Sequence, residues 1–131
     1  MVTNYDLQKH LSVNGSVWCM AQDTLGVLYF GIEGGIGTYD GTEWSRYGSA
    51  TEVVRSLFVD SSGDLWYGSV NDFGRVRRSR TEGLKLESVA VTLPDSLRQF
   101  GDLWSIAEAD SVLFFQSSNA VFTVSTGDKV A

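Results

Sequence analysis

The sequence predicts an all-β fold made of about three similar antiparallel units with four strands in each. Two segments, "VWCMAQDTLGVLYFG" at 17–31 and "VRSLFVDSSGDLWYG" at 54–68, align without a gap. Short runs rich in β-branched and aromatic residues recur along the chain and are separated by turn residues. Only "LPDSLRQF" carries a helix-start pattern, with Pro94 at the first helical position.

The aligned segments form an internal repeat. Five pairs are identical: Val17 and Val54, Asp23 and Asp60, Gly26 and Gly63, Leu28 and Leu65, Gly31 and Gly68. A third copy, "LWSIAEADSVLFFQSSNAVFTV" at 103–124, aligns after one residue is deleted in its first turn. Its glycines are replaced by Gln116 and Ala120, so we expect its turns to be built differently. Repetition at a fixed period indicates a fold assembled from equivalent units.

The strands of the first unit are predicted at "VWCMAQ", "VLYFG", "IGTYD" and "TEWSRY". Tight turns are predicted at 23–26 and 60–63, because aspartate accepts backbone N–H groups and glycine adopts the left-handed conformation. Asp40 and Gly41 predict a hairpin with a two-residue turn. We expect the remaining repeat glycines to turn the chain between strands and the aromatics to fill the space between units; these residues are Gly31, Gly35, Gly68, Gly74, Tyr39 and Trp66.

Runs such as "VLYF", "DLWY" and "SVLFF" are apolar on both strand faces, which is typical of a sheet covered on both sides. Covered four-stranded units at a spacing near 40 residues describe the blades of a β-propeller. We expect one domain over 1–131, with blades at about 11–48, 49–98 and 99–131 and an outer strand within 1–10.

Three blades form an open arc, because a propeller ring closes with about 4 to 8 blades. Each terminal blade is then expected to expose an apolar face. We therefore expect either a homo-oligomer, in which two copies form one ring of six blades, or further blades in a longer protein.

Composition excludes several classes of function. The net charge is −6 and the pI is about 4.6, so no nucleic-acid partner is expected, because phosphate binding needs a cationic surface. Cys19 and His10 are the only residues of their types, which leaves no disulfide, thiolate metal site or catalytic triad. No cofactor or metal is predicted. The chain also lacks an apolar run of about 18 residues, so no membrane span is expected.

The candidate ligand site lies on loops at one mouth of the propeller. Polar side chains suited to sugar hydroxyls occur in the loops that join the second and third strands: Glu33, Asn71, Asp72, Ser118 and Asn119. Trp18, Arg55 and Trp104 occupy equivalent positions near the start of the innermost strands, where they either face the channel or pack between blades. The predicted ligand is an oligosaccharide or another small molecule.

No motif predicts catalysis. The four-glycine run "GIEGGIG" precedes a hairpin and not the helix that a phosphate loop requires. Asp23 and Asp60 stand three residues before their glycines, whereas the sialidase turn places aspartate two residues before. The basic run "RVRRSR" at 75–80 either discourages edge-to-edge pairing of an outer strand or holds an anionic ligand.

The first unit resembles the two-component regulator propeller repeat. In that repeat an inner strand leads to D-x-x-G, an aromatic and glycine, G-[IL]-x-x-Y-D-G and a final aromatic strand. The second half is matched by Gly35, Tyr39, Asp40, Gly41, Trp44 and Tyr47. "VRSLFVDSSGDLWYGSVNDFG" matches the first half, and the resemblance covers roughly 14–124.

The resemblance implies a non-catalytic sensor domain of bacterial regulators that carry a triple-tyrosine module. Such a domain is periplasmic or otherwise extracytoplasmic, and it passes ligand occupancy to a kinase, a nucleotide cyclase or a DNA-binding output. The alternative from another class is a protein-interaction scaffold, in which blade faces or edges bind another chain. A fragment of a carbohydrate-active enzyme is the third interpretation.

Overall fold

The computed structural model describes residues 1–11, 15–49, 51–81 and 83–126 and confirms the all-β prediction, with three antiparallel sheets. Sheet 1 contains β1 (Val17–Gln22), β2 (Leu28–Ile32), β3 (Gly35–Tyr39) and β4 (Trp44–Tyr47). Sheet 2 contains β5 (Ser56–Val59), β6 (Leu65–Gly68), β7 (Phe73–Ser79) and β8 (Gly83–Ser88). Sheet 3 contains β9 (Leu103–Ala109), β10 (Val112–Ser117) and β11 (Val121–Ser125).

Sheet 3 has three strands within the described residues, not the four that the sequence predicts. β11 ends at Ser125, and the described part of the chain ends at Thr126. The edge of β11 is therefore open in this part of the chain, whereas β3 and β7 are each paired on both sides.

The register of the strands agrees with the alignment of the repeat. Gln22 pairs with Leu28 in sheet 1, and the aligned positions Val59 and Leu65 pair in sheet 2. Glu108 and Leu113 make the corresponding pair in sheet 3. The deleted residue of the third copy falls in a two-residue turn at 110–111, where both residues have positive φ, 51° and 64°.

The first ten residues do not form the predicted outer strand. Residues 1–6 have no regular structure, and α1 (Leu7–Leu11) is a short helix. Leu11 is 3% exposed and packs with Phe30 and Ile32 on one face of sheet 1. A Cβ atom on Gly37 would lie 2.4 Å from Leu11 Cδ1, so the helix approaches the sheet where a side chain is missing. Hydrophobic contact with the sheet thus outweighs strand pairing in this segment.

Two 3₁₀ helices, Ala90–Thr92 and Asp95–Leu97, lie in the connection between sheets 2 and 3. The second begins at Asp95, so a helical turn forms in the predicted segment, but Pro94 precedes it as the N-cap instead of occupying the predicted first helical position.

The hairpin at Asp40 differs from the prediction in its loop length. Tyr39 pairs with Trp44, so four residues connect β3 to β4 instead of two. Asp40 Oδ1 accepts the backbone N–H groups of Thr42 and Glu43 at 2.8 Å each, which stabilises the longer loop.

Gly31, Gly68 and Gly74 lie within strands and do not turn the chain as predicted. A Cβ atom on Gly31 would lie 2.5 Å from the carbonyl oxygen of Val54, which begins the next unit. On Gly68 it would lie 2.5 Å from Leu103 Cδ2, also in the next unit. The same repeat position therefore allows close approach of successive sheets.

Two apolar clusters join the sheets in sequence. Sheets 1 and 2 share Tyr29, Ile36, Val54, Leu57, Leu65, Tyr67 and Val76. Sheets 2 and 3 share Trp66, Phe73, Leu103, Leu113 and Phe115, together with Ala90 and Phe100 of the connection. Trp66 is therefore buried between neighbouring sheets as predicted. Tyr39 is not, because it packs with Trp44 on the side of sheet 1 that α1 covers.

Candidate functional site

One end of each sheet carries both the start of its first strand and the connection between its second and third strands. This follows from antiparallel pairing of consecutive strands. Backbone hydrogen bonds join these ends: Val54 N donates to Ile32 O at 3.2 Å, and Leu103 N donates to Ser69 O at 2.9 Å. The loops predicted to bind a ligand therefore lie at corresponding ends of their sheets.

Trp18, Arg55 and Trp104, which are equivalent in the repeat, meet at this end. Arg55 Cζ lies 3.9 Å from the ring centroid of Trp18 and 5.4 Å from that of Trp104. The two indole rings contact each other edge to face, with centroids 6.2 Å apart. The tryptophans remain 37% and 45% exposed. We call these three residues the tryptophan–arginine cluster.

Asp102 fixes the orientation of the arginine. Arg55 Nε donates to Asp102 Oδ1 at 2.9 Å, and the Arg55 backbone N donates to Gly68 O at 2.7 Å. The Arg55 side chain is only 17% exposed, and its Nη1 atom is buried with no acceptor among the described residues. Contact between the guanidinium and the indole faces offsets part of the free-energy cost of this unpaired donor, since cation–π contacts contribute about 0.5–2 kcal/mol.

No pattern in the sequence marks Asp102. The other two units have Ser16 and Val53 at the equivalent position, so the repeat does not mark a carboxylate there. A half-buried arginine requires a charged or polar partner. Arg55 is buried only when sheet 3 packs beside it, so its need for a partner cannot be read from the local sequence.

The side chain of Asn71 makes its hydrogen bonds within the protein. Its Oδ1 accepts the backbone N–H of Gly101 at 2.6 Å, and its own backbone N donates to Gly101 O at 2.7 Å. Its Nδ2 donates to Gln99 Oε1 at 3.3 Å. Asn71 thus fastens the β6–β7 loop to the segment before β9, and its contact with a ligand stays a prediction.

Asp72 has both carboxylate oxygens occupied by side chains of its own sheet. Tyr67 donates its hydroxyl to Asp72 Oδ2 at 2.7 Å, and Ser88 donates to Asp72 Oδ1. Burial, reinforced by the hydrogen bond to Asp72, raises the pKa of Tyr67 far above its usual range. The phenol therefore remains protonated, and Asp72 supports the fold whether or not it also contacts a ligand.

The remaining predicted site residues are exposed. Glu33 lies next to Gly15, and its backbone forms a bridge with Val53. Ser118 and Asn119 occupy a turn in which Ser117 Oγ accepts the backbone N–H of Asn119. In the described residues no hydrogen bond joins these three side chains to Asn71 or Asp72. The predicted residues therefore share an end of the fold without forming one bonded cluster.

The basic run at 75–80 does not lie on an outer strand. β7 is the third of four strands, and Arg78 reaches from it to sheet 1, where its Nη2 donates to Asp23 Oδ2 at 2.8 Å. Arg75 and Arg77 form ion pairs of their own. These three arginines pair with carboxylates of the same chain at the surface. Because β7 has neighbours on both sides, they do not protect a sheet edge as expected.

Cys19 lies partly buried against the cluster between sheets 1 and 2. Burial raises the pKa of its thiol to about 11, which makes it a poor nucleophile at neutral pH. Across residues 1–11, 15–49, 51–81 and 83–126, no group of three or more His, Cys, Asp or Glu residues is placed to hold a metal ion. The helices in those ranges are all too short or too polar to span a membrane.

Comparison with known proteins gave no match, either to a protein-family model or to a curated protein at a significant level. The resemblance to two-component regulator propeller repeats therefore rests on the quoted residues of the chain itself.

Proposed function

We propose that the chain is an arc of a β-propeller that recognises a small carbohydrate-like ligand without catalysis, as part of a bacterial two-component or related signalling regulator. The observation that carries the proposal is the convergence of Trp18, Arg55 and Trp104 at one end of the fold. Each of three successive units contributes one of these residues from the same repeat position, so the three units together form this surface.

Two relationships that recur from unit to unit support the propeller arrangement. The first strand of each sheet contacts the first strand of the next, β1 with β5 and β5 with β9. The next unit also approaches closely at the same repeat position, at Gly31 in sheet 1 and at Gly68 in sheet 2. A constant step between adjacent units generates an arc when it is repeated, and a ring when enough units are present.

The chemistry of the tryptophan–arginine cluster supports a sugar-like ligand. The partly exposed indole rings offer apolar surfaces for the C–H faces of a sugar ring. Asp102 is 33% exposed and offers acceptor oxygens for hydroxyl groups beside them. An apolar surface with a few placed polar groups is the usual composition of a small-molecule site. The signalling role and extracytoplasmic location rest on the resemblance alone.

Isothermal titration calorimetry with a panel of neutral and acidic oligosaccharides tests the proposal. We expect at least one glycan to bind, and Trp104→Ala to weaken that binding about tenfold, because it removes a stacking surface. Val91→Ala is the control, since Val91 is 61% exposed and belongs to the 3₁₀ helix Ala90–Thr92. Absence of binding across the panel would overturn the proposal. Substitutions of Asn71 or Asp72 are unsuitable, because both side chains stabilise their loop.

A protein-interaction scaffold is the second candidate. It is favoured by the outer face of sheet 3, where Phe114 is 38% and Val121 60% exposed. A scaffold would bind no glycan of the panel and would lose its partner when this face is changed.

A further inference from the structure

Arg55, the cation of the tryptophan–arginine cluster, offers no open fork to an acidic group. A guanidinium binds a carboxylate most strongly through two N–H groups, either Nε with Nη2 or Nη1 with Nη2. In Arg55 the first fork is engaged, because Nε donates to Asp102 Oδ1 at 2.9 Å. The second fork contains Nη1, which is buried without an acceptor among the described residues. An anionic ligand therefore finds neither pair of donors available.

The indole rings also cover this guanidinium. Arg55 Cζ lies 3.9 Å from the ring centroid of Trp18 and 5.4 Å from that of Trp104. A carboxylate that reached Nη1 would have to displace an indole ring and break its cation–π contact. Both tryptophans are more exposed than the Arg55 side chain, so the surface offered to a ligand is mainly aromatic.

The accessible charge beside the rings is negative. The Asp102 side chain is 33% exposed, against 17% for Arg55. Arg55 is the only cation among the residues predicted for the ligand site, whereas Glu33 and Asp72 are carboxylates. Arg46 also reaches this end of the fold, but it belongs to β4, the strand of sheet 1 farthest from β1. With a net charge of −6 on the whole chain, an acidic ligand is repelled both at the cluster and on approach.

We propose that the tryptophan–arginine cluster selects neutral saccharides over acidic ones and that Asp102 determines this selectivity, a proposal that rests on the function proposed above. Asp102 compensates the charge of Arg55 and places a carboxylate next to the indole rings. A neutral sugar stacks on the rings and donates its hydroxyl groups to carboxylate oxygens. A sugar acid meets a like charge and no open guanidinium fork.

Isothermal titration calorimetry with pairs of oligosaccharides tests this selectivity. The probes are short linear oligosaccharides of glucose, mannose and galactose, each paired with the same chain after oxidation of its primary hydroxyl groups to carboxylates. We expect the neutral form to bind at least about tenfold more tightly than the oxidised form. The difference is expected to narrow between 0.1 M and 1 M salt, because the Debye length falls from about 10 Å to about 3 Å.

Asp102→Asn is the variant that isolates the role of the carboxylate. Its amide oxygen still accepts from Arg55 Nε, so the neutral form is expected to bind within about twofold of the wild type. The oxidised form is expected to gain about tenfold, because the charge of Arg55 is no longer compensated. Asp95→Asn is the matched control, since it makes the same change of charge on a 95% exposed side chain outside the cluster. We expect it to keep the wild-type ratio of affinities.

Far-UV circular dichroism and the melting transition of both variants verify the fold, and the salt series on the wild type needs no variant. Equal or tighter binding of an oxidised form by the wild type would overturn the selectivity and leave carbohydrate recognition standing. An affinity ratio that Asp102→Asn leaves unchanged, or that Asp95→Asn changes equally, would overturn the role of Asp102. Absence of binding by every neutral and oxidised probe would overturn the proposed function itself, and the selectivity with it.

Discussion

Tyr29 and Trp66 occupy equivalent positions in successive sheets and donate to equivalent aspartates. Tyr29 Oη lies 2.8 Å from Asp23 Oδ2, and Trp66 Nε1 lies 2.8 Å from Asp60 Oδ2. In both turns the other carboxylate oxygen accepts two backbone N–H groups at 2.9 Å. A phenol and an indole thus donate the same hydrogen bond, by which the aspartate joins the first turn of sheet 1 and of sheet 2 to the second strand of that sheet.

Asp60→Ala is expected to lower the free energy of unfolding by about 2–4 kcal/mol. The substitution leaves the buried Trp66 N–H and two backbone N–H groups without acceptors. Asp40→Ala is the comparison, because Asp40 also accepts two backbone N–H groups but is exposed. We expect it to cost clearly less than Asp60→Ala, because solvent replaces the lost acceptor of an exposed N–H group. Urea unfolding measures both values, and equal losses would contradict the role assigned to the aromatic donor.

Asp23 is expected to make stability depend on pH in the acid range. Burial disfavours its ionised form, but hydrogen bonds from Tyr29 and from the backbone N–H groups of Val27 and Leu25, with the charge of Arg78, outweigh burial and lower its pKa. The unfolded chain binds this proton more readily, so the contribution to stability is present above the unfolded pKa of about 3.9. It is lost as pH falls through the lower pKa of the folded protein.

Unfolding free energies measured between neutral pH and acid pH test this dependence. We expect the wild type to lose stability more steeply than Asp23→Asn below about pH 4. Asp95→Asn, which changes a 95% exposed side chain, is expected to follow the wild type. Parallel curves for wild type and Asp23→Asn would show that this carboxylate does not contribute to the acid sensitivity.

Gly68→Ala and Gly63→Ala are expected to destabilise the protein for different reasons. A Cβ on Gly68 would lie 2.5 Å from Leu103 Cδ2 and 2.9 Å from the Leu103 carbonyl oxygen, so it would push sheets 2 and 3 apart, at about 1–3 kcal/mol. Gly63 has open space around it but a φ of +89°, which costs an L-residue about 1–2 kcal/mol.

Asparagine distinguishes the two mechanisms in urea unfolding. Because asparagine tolerates positive φ better than alanine, Gly63→Asn is expected to be more stable than Gly63→Ala. Gly68→Asn is expected to be no better than Gly68→Ala, since the obstacle there is space. The opposite order at either position would refute the mechanism assigned to it.

Cys19 is expected to react slowly with alkylating reagents in the folded protein. With a pKa of about 11, its thiolate fraction at pH 8 is more than about 100-fold below that of an unperturbed cysteine. Mass spectrometry after iodoacetamide treatment measures the reaction, and the same treatment in denaturant is the control. Complete modification of the folded chain at the rate of the denatured chain would contradict the burial of this thiol.

Much of the fold was predictable because the same pattern of turn and strand residues occurs more than once in the sequence. The equal spacing of Asp23 and Asp60 anticipated two equivalent turns, and the alignment of Val17 with Val54 anticipated equivalent strands. The covering of sheet 1 by α1 was not predictable, because five residues are too few to show a helical period. The role of Gly31 was missed for a related reason, since close approach depends on a neighbouring sheet and not on local sequence.

The candidate site was predictable only where the repeat marks it. Trp18, Arg55 and Trp104 were identified as equivalent, and the structure brings them into contact. Their loop positions predict that Asn71 and Asp72 contact a ligand, yet both side chains bond to other strands or to the following connection. Local composition gives no information about such long-range partners.

The chain carries its own probes for the most direct test of ligand recognition, because it has four tryptophans and only two belong to the tryptophan–arginine cluster. The indole N–H signals can be followed by NMR during titration with the oligosaccharide panel. We expect a binding glycan to shift the signals of Trp18 and Trp104 and to leave those of Trp44 and Trp66 in place. Four unmoved signals across the whole panel, or shifts confined to Trp44 and Trp66, would contradict ligand recognition by this cluster.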